Sequence, residues 1–193
     1  MPELEKRRDH ETALANAVIR AWTPFLVSGP EYTQLAAALA AEIKPPLYDV
    51  FLSASLGMAP GSGWQGAIPL DAEADAWSEE RAIQLADGIT ATTQSRIDNG
   101  WSPEQAMSDA RAEVIAATEV TAATTAGEWR TVLAAAAFGI LLSPRWYTAE
   151  DERVCDICGP LNGAPIEVFG GWAANGPPAH PNCRCFLEWT GPR

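Results

Sequence analysis

Basic residues are scarce in this 193-residue chain: thirteen lysines and arginines stand against twenty-five acids, for a net charge of −12. A surface of that sign repels a phosphate backbone, which argues against general nucleic-acid binding unless basic side chains gather locally. They do not gather in sequence. The nearest run is Lys6-Arg7-Arg8, flanked by Glu5 and Asp9. Long apolar runs are missing too. The longest nearly apolar stretch, residues 132–142, is far short of the ~20 residues that a bilayer requires. The first five residues, Met1-Pro2-Glu3-Leu4-Glu5, hold two acids and no apolar core, so export is not expected. Cysteine and histidine are few, at four and two. With 47% hydrophobic and 20% charged residues, the chain is nevertheless a folding polypeptide rather than a disordered tail.

What is present is unevenly distributed. All four cysteines and one histidine fall between Cys155 and Cys185, and the only earlier candidate of either type is His10. The first 143 residues read as helices. Leu14, Ala17, Val18, Ala21, Trp22 and Phe25 recur at three-and-four spacing and lay one stripe along a helix. Pro24 and Ser28-Gly29-Pro30 are expected to end it. A second helix is predicted from about Glu31 to Glu42, interrupted at Lys44-Pro45-Pro46 and resuming over residues 47–58. A loop follows at 59–63, then a helical segment over 71–101 that Asn99-Gly100 stops. Ser102-Pro103-Glu104-Gln105 is a strong helix start, with a capping Ser, Pro at the first position and Gln at the third. The helix it opens is predicted to carry Met107, Ala110, Val114, Ala117 and Thr121 on one run.

The character changes after Leu142. Arg145-Trp146-Tyr147-Thr148 reads as a short strand, and Asn162-Gly163 as a type I′ hairpin turn leading into an Ile166/Val168 strand. A Gly- and Pro-rich loop spans 170–179, and residues 183–189 alternate as an edge strand would. The expected architecture is therefore α+β: a mostly helical body over residues 1–143 and a small β module over 144–193. A module of about fifty residues is too small for a substantial core and needs a staple.

Cys155-Asp156-Ile157-Cys158 aims two thiolates at one point, and His180-Pro181-Asn182-Cys183-Arg184-Cys185 supplies three more donors. Soft and borderline ligands at these spacings suit a structural zinc ion. Cys155 and Cys158 are expected ligands, while His180, Cys183 and Cys185 compete for the remaining two places. Disulfides would require an oxidising compartment, and buried free thiols are the other alternative. Four protein ligands leave no open position for water, so such a site is structural rather than catalytic.

No catalytic residues are expected. There is no H-E-x-x-H, G-x-S-x-G or Walker loop. Val154 precedes the C-x2-C and no Glu lies two residues after His180, which excludes the zinc deaminase pattern. Glu150-Asp151-Glu152 resembles a solvated turn more than a catalytic metal site. Arg153 and Arg184 read as support around the metal, the alternative being contact with a partner or phosphate. His10 is expected to be solvent-exposed. The eight tryptophans fit core and interface anchors better than base-stacking platforms. A zinc-dependent nucleic-acid-binding protein or nuclease is the competing functional class.

Three C-terminal words occur in order: Arg145-Trp146-x-Thr148-Ala149-x-Asp151-Glu152-Arg153-Val154-Cys155-x-x-Cys158, then Leu161-Asn162-Gly163, then Pro177-Pro178-Ala179-His180-Pro181-Asn182-Cys183-Arg184-Cys185. Over about residues 145–189 this closely resembles the signature of phage head morphogenesis proteins, the Mu F-like minor head (minor capsid) proteins. Upstream, Arg111-Ala112 and Thr118-Glu119 resemble the family's helical part more loosely, and Ala117 stands where the family usually has an arginine. The resemblance implies a minor virion component inside the head, with the portal and other head proteins as partners and at most weak contact with packaged DNA. It implies a part in head assembly, DNA packaging or DNA delivery, and neither a membrane nor a small-molecule substrate. The chain ends just after the module, so no appended catalytic domain is expected. Trp22, Trp77 and Trp101 are candidate anchors for portal docking through the helical part, each equally readable as a core residue.

Overall fold

A computed structural model of the protein describes residues 2–28, 31–58, 69–149, 154–171 and 173–191. Five helices come first: α1 Pro2–Ser28, α2 Tyr32–Gly57, α3 Leu70–Asp98, the single turn α4 Pro103–Ala106, and α5 Asp109–Ala136. They are followed by strand β1 Ser143–Tyr147, a 3-10 turn at Gly159–Leu161, the short helix α6 Ile166–Phe169, and strand β2 Phe186–Thr190. The protein is mostly helical with a small antiparallel sheet near its C-terminus. The chain forms two compact units, one of Met1–Asp49 and Ala72–Ala116, the other of Val50–Asp71 and Ala117–Arg193.

The first unit is held by apolar stripes. Leu14, Ala17, Val18, Ala21, Trp22 and Phe25 are all buried along α1, as their spacing requires. Leu35, Leu39, Ile43 and Leu47 bury the matching stripe of α2, and Ala74, Ala82, Ala86 and Ile89 that of α3. Polar ties lie outside this core. Arg20 meets Glu42 at 2.9 Å, and Lys44 lies between Asp75 and Glu79 at 2.9 and 2.7 Å. Hydrogen bonds to Glu79 and then Asp75 raise the Lys44 pKa, but such exposed pairs add little to stability.

Two proline expectations fail here. Pro24 lies inside α1, and α2 continues through Pro45-Pro46. Each proline removes one helical N–H donor and strains the preceding turn. Ile43 and Leu47, fully buried on either side of the pair, require the helical path on both sides, and packing outweighs the local preference.

The helix predicted from Ser102 through Thr121 is in fact two. Ser102 forms the capping box with Gln105: Gln105 N–H donates to Ser102 Oγ at 3.3 Å, and Ser102 N–H to Gln105 Oε1 at 2.9 Å. After one turn Met107 leaves the helical region (φ −119°, ψ 53°), burying its side chain. Ser108 then opens α5, its carbonyl accepting from the Arg111 and Ala112 N–H groups. The Arg111 guanidinium occupies the break. It donates to Ala106 O at 2.6 Å, Thr93 Oγ1 at 2.7 Å and Ile89 O at 3.2 Å. Burial, reinforced by the nearby Arg96, lowers the Arg111 pKa to about 10.

In the second unit, α5 and the end of α2 approach so closely that a Cβ on Gly127 would collide with the Phe51 carbonyl oxygen. Ser55 Oγ donates to Gly127 O at 3.1 Å, and Thr131 Oγ1 to Ser55 O at 3.4 Å. The C-terminal sheet pairs Ser143 with Thr190 through Tyr147 with Phe186. On its other side β1 is bonded to the segment Asn162-Gly163-Ala164. Gly163 N–H donates to Trp146 O, Trp146 N–H to Ala164 O, and Thr148 N–H to Asn162 Oδ1.

That arrangement corrects the turn expected at Asn162-Gly163. Asn162 (φ −58°, ψ 121°) and Gly163 (φ +77°) make a type II turn, closed by Ala164 N–H to Leu161 O at 2.8 Å. The strand expected over 164–169 is also absent. Pro165 starts one helical turn, which places Phe169 at 0% exposure and Val168 at 59%. Ile166 and Phe169, three apart, share the face that meets the module's core. The last strand begins only at Phe186, so Cys183 and Cys185 precede it in a loop.

Candidate metal centre

The module's core is Trp146, Cys158, Phe169, Cys183, Cys185 and Leu187, with Trp129 of α5 packed against it. Cysteines therefore make up half of the buried set. The C-x2-C segment is a tight turn: Gly159 N–H donates to Cys155 O at 2.9 Å, and Cys158 N–H to Cys155 Sγ at 3.4 Å. The second donor segment turns at Asn182, whose φ of +61° is a left-handed conformation that asparagine tolerates better than most residues. Cys183 N–H closes this turn on His180 O at 3.2 Å.

All five predicted donors come together. Cys155, Cys158 and His180 form one triad, and Cys158, Cys183 and Cys185 a second, the ligand atoms of each lying within 4.8 Å of one another. Cys158 belongs to both. His180 Nε2 lies 3.1 Å from Cys155 Sγ and 3.2 Å from Cys158 Sγ, and Cys158 Sγ lies 3.9 Å from Cys183 Sγ. A tetrahedron with metal–sulfur bonds of about 2.3 Å has an S···S edge of about 3.8 Å, which the last distance matches. The His180 ring is oriented for ligation: Nδ1–H donates to Pro181 O at 2.8 Å, leaving Nε2 to face the sulfurs.

The electrostatics are those of a cluster sharing protons. The Cys158 N–H bond lowers the Cys155 thiol pKa, and burial pushes Cys158 up to about 12. The Cys185 thiol donates to Cys183, bringing Cys183 down to about 5, while that same bond and burial raise Cys185. Burial works to lower His180, but the Pro181 carbonyl and the neighbouring sulfurs outweigh it and hold the ring above its usual value. A bound cation would replace these shared protons and favour thiolate throughout. The donor set thus fits a metal ion, beside a cavity of about 110 Å³ lined by Val154, Ala149 and the donors Cys155, Cys158, His180 and Cys185.

Glu150, Asp151, Glu152 and Arg153 lie outside the described residues. Arg184 is half-buried between the two C-terminal cysteines. His10 is not exposed as expected. It is half-buried on α1, its Nε2 has no hydrogen-bond partner among the described residues, and burial lowers its pKa. Trp22, at 1% exposure, is a core residue and not a docking anchor. Trp77 is half-buried, and Trp101 is 47% exposed with the Arg96 guanidinium 4.9 Å from its ring centroid.

Sequence reasoning found the helix beneath the cluster but missed its bonds to the donor loop. Asn182 N–H donates to Thr118 Oγ1 at 2.7 Å, and Thr121 Oγ1 donates to Cys183 O at 2.6 Å. Further along α5, Trp129 Nε1 donates to Asn175 O and Trp189 Nε1 to Glu128 Oε2, while the two indoles pack edge to face. The available signal was a line of polar and aromatic residues at positions 118, 121, 125, 128 and 129 on an otherwise alanine-rich helix.

The family model described as Phage Mu protein F like protein matches residues 76–188. The chain belongs to this family. The match covers more than half of the chain, running from α3 to β2 and including all five donors. This bears out the resemblance to Mu F-like phage head morphogenesis proteins. No curated protein and no solved structure matches the chain. No described helix is long and apolar enough to cross a membrane.

Proposed function

We propose that this Mu F-like protein is a minor head component of a tailed phage or prophage. It acts by binding rather than by catalysis, in head assembly, DNA packaging or DNA delivery, inside the capsid near the portal. The observation that carries this is the cluster of five protein donors inside the family-matched span. We assign it a structural zinc ion held by Cys155, Cys158 and two of His180, Cys183 and Cys185. An ion closed by four such ligands supplies folding energy and rigidity rather than a reactive water. The acidic surface supports partners that are proteins rather than nucleic acid.

The half-buried Trp77 and the half-exposed Trp101 are the remaining tryptophan anchors of the docking surface, Trp101 being the more accessible and covered by the Arg96 guanidinium. Co-expression with portal and major capsid protein tests the proposal. The chain should co-purify with portal at a fixed stoichiometry, and Trp101→Ala should weaken that association while leaving the free chain's thermal midpoint nearly unchanged. Heads of normal composition, packaging and DNA delivery made without this chain would overturn it.

A further inference from the structure

Asn182 and Cys183 are held at both ends by one face of α5. Thr118 Oγ1 accepts the Asn182 N–H at 2.7 Å, and Thr121 Oγ1 donates to the Cys183 carbonyl at 2.6 Å. Thr121 is fully buried and also lies 3.0 Å from Ala117 O, within its own helix. The two threonines stand three apart, so they share one helix face, and one accepts where the other donates. Together they bracket the left-handed Asn182, the residue whose backbone sets the direction of Cys183 and of the Cys183–Cys185 pair behind it. The same turn ties back to His180 through Cys183 N–H. Every donor of the second segment therefore depends on a loop whose path α5 dictates.

From this clamp we infer that Thr118 and Thr121 are positioning residues for the metal centre. They hold the His180–Cys185 segment in a ligand-ready path before the ion arrives. Without them, the ion itself must order the loop, and that cost is subtracted from its affinity. Groups that orient metal ligands from behind typically account for 10–100-fold in affinity. The inference rests on the reading of the donor cluster as a metal centre.

The test uses the full chain, loaded with zinc and titrated with a chromophoric chelator, and in parallel loaded with cobalt to read the visible spectrum of the site. Thr118→Val with Thr121→Val keeps side-chain shape but removes both hydroxyls. It should weaken zinc binding about 10–100-fold, speed its release and alter the cobalt spectrum. Thr118→Ser with Thr121→Ser should restore all three. If the double valine variant does not fold, Thr118→Val alone, at a half-buried position, should show the same changes to a smaller degree. Zinc affinity and cobalt spectrum equal to wild type in the valine variants would overturn the positioning role. A wild-type chain that holds neither zinc nor cobalt would overturn the metal reading itself.

Discussion

The two compact units are stabilised by different chemistry. In the first, Leu14, Trp22, Leu39, Ile43 and Ile89 bury apolar surface along long helices, and the ion pairs of Arg20 and Lys44 lie at the periphery. In the second, the C-terminal module is a two-stranded sheet and two short helical turns around a core that is half cysteine. Hydrophobic burial can sustain the first by itself. The second has too little apolar area in its C-terminal part. It relies instead on donor side chains and on hydrogen bonds to α5. Stability is therefore distributed in the first unit and concentrated in a few atoms in the C-terminal module of the second.

The largest expected effect is at Cys158, the donor common to both triads. Cys158→Ser should abolish metal binding, as measured by elemental analysis of the purified chain. Each single substitution leaves four donors, but Cys183→Ser and Cys185→Ser keep the Cys155–Cys158–His180 triad whole and should retain more metal than Cys158→Ser. Equal loss in all three would mean that both C-terminal cysteines are required. In the first unit the corresponding break is Trp22→Ala, which should cost about 3–5 kcal/mol in denaturant unfolding and leave bound metal unchanged.

Gly127→Ala comes next. Its Cβ would meet the Phe51 carbonyl, backbone that cannot yield without separating α5 from the end of α2. A loss of about 1–3 kcal/mol is expected, read as a lower thermal midpoint. An unchanged midpoint would show that α5 and α2 can move apart here at little cost.

The smallest effect is at His10, where burial and then Lys6 lower the pKa while Asp49 and Asp9 oppose them. A histidine whose folded pKa lies below 6.5 favours the folded state when neutral. Its contribution is present above about pH 6.5 and lost as pH falls below that value. The midpoint difference between wild type and His10→Gln should therefore shift against wild type on going from pH 7 to pH 5. A difference independent of pH would contradict the burial of this ring.

How much of this was legible in the sequence depends on the range of each interaction. The α1 stripe could be read because a helix repeats every 3.6 residues whatever it packs against. The five donors could be read because thiol and imidazole are rare and chemically distinctive. Pro45-Pro46 misled because the local cost was visible and the compensating burial of Ile43 and Leu47 was not. The break at Met107-Ser108 was hidden because Arg111 supports it from across the chain, on Ile89 and Thr93. Asn162-Gly163 was correctly a turn but of the wrong type, since the Asn162 side chain is committed to Thr148 N–H. Thr118 and Thr121 stood out in the sequence only as part of a polar line on an alanine-rich helix, because the partners that give them a role lie more than sixty residues away.

Hydrogen exchange of the backbone amides, recorded on the purified chain before and after chelation, tests most directly whether metal holds one unit and apolar packing the other. Chelation should strip protection from β1, β2 and the His180–Cys185 loop, and reduce it in α5 from Thr118 onward, where the loop is bonded. The amides of α1 and of α3 around Ala82–Ile89 should exchange as before. Unchanged exchange throughout the C-terminal module, or a collapse of protection across both units together, would contradict that division.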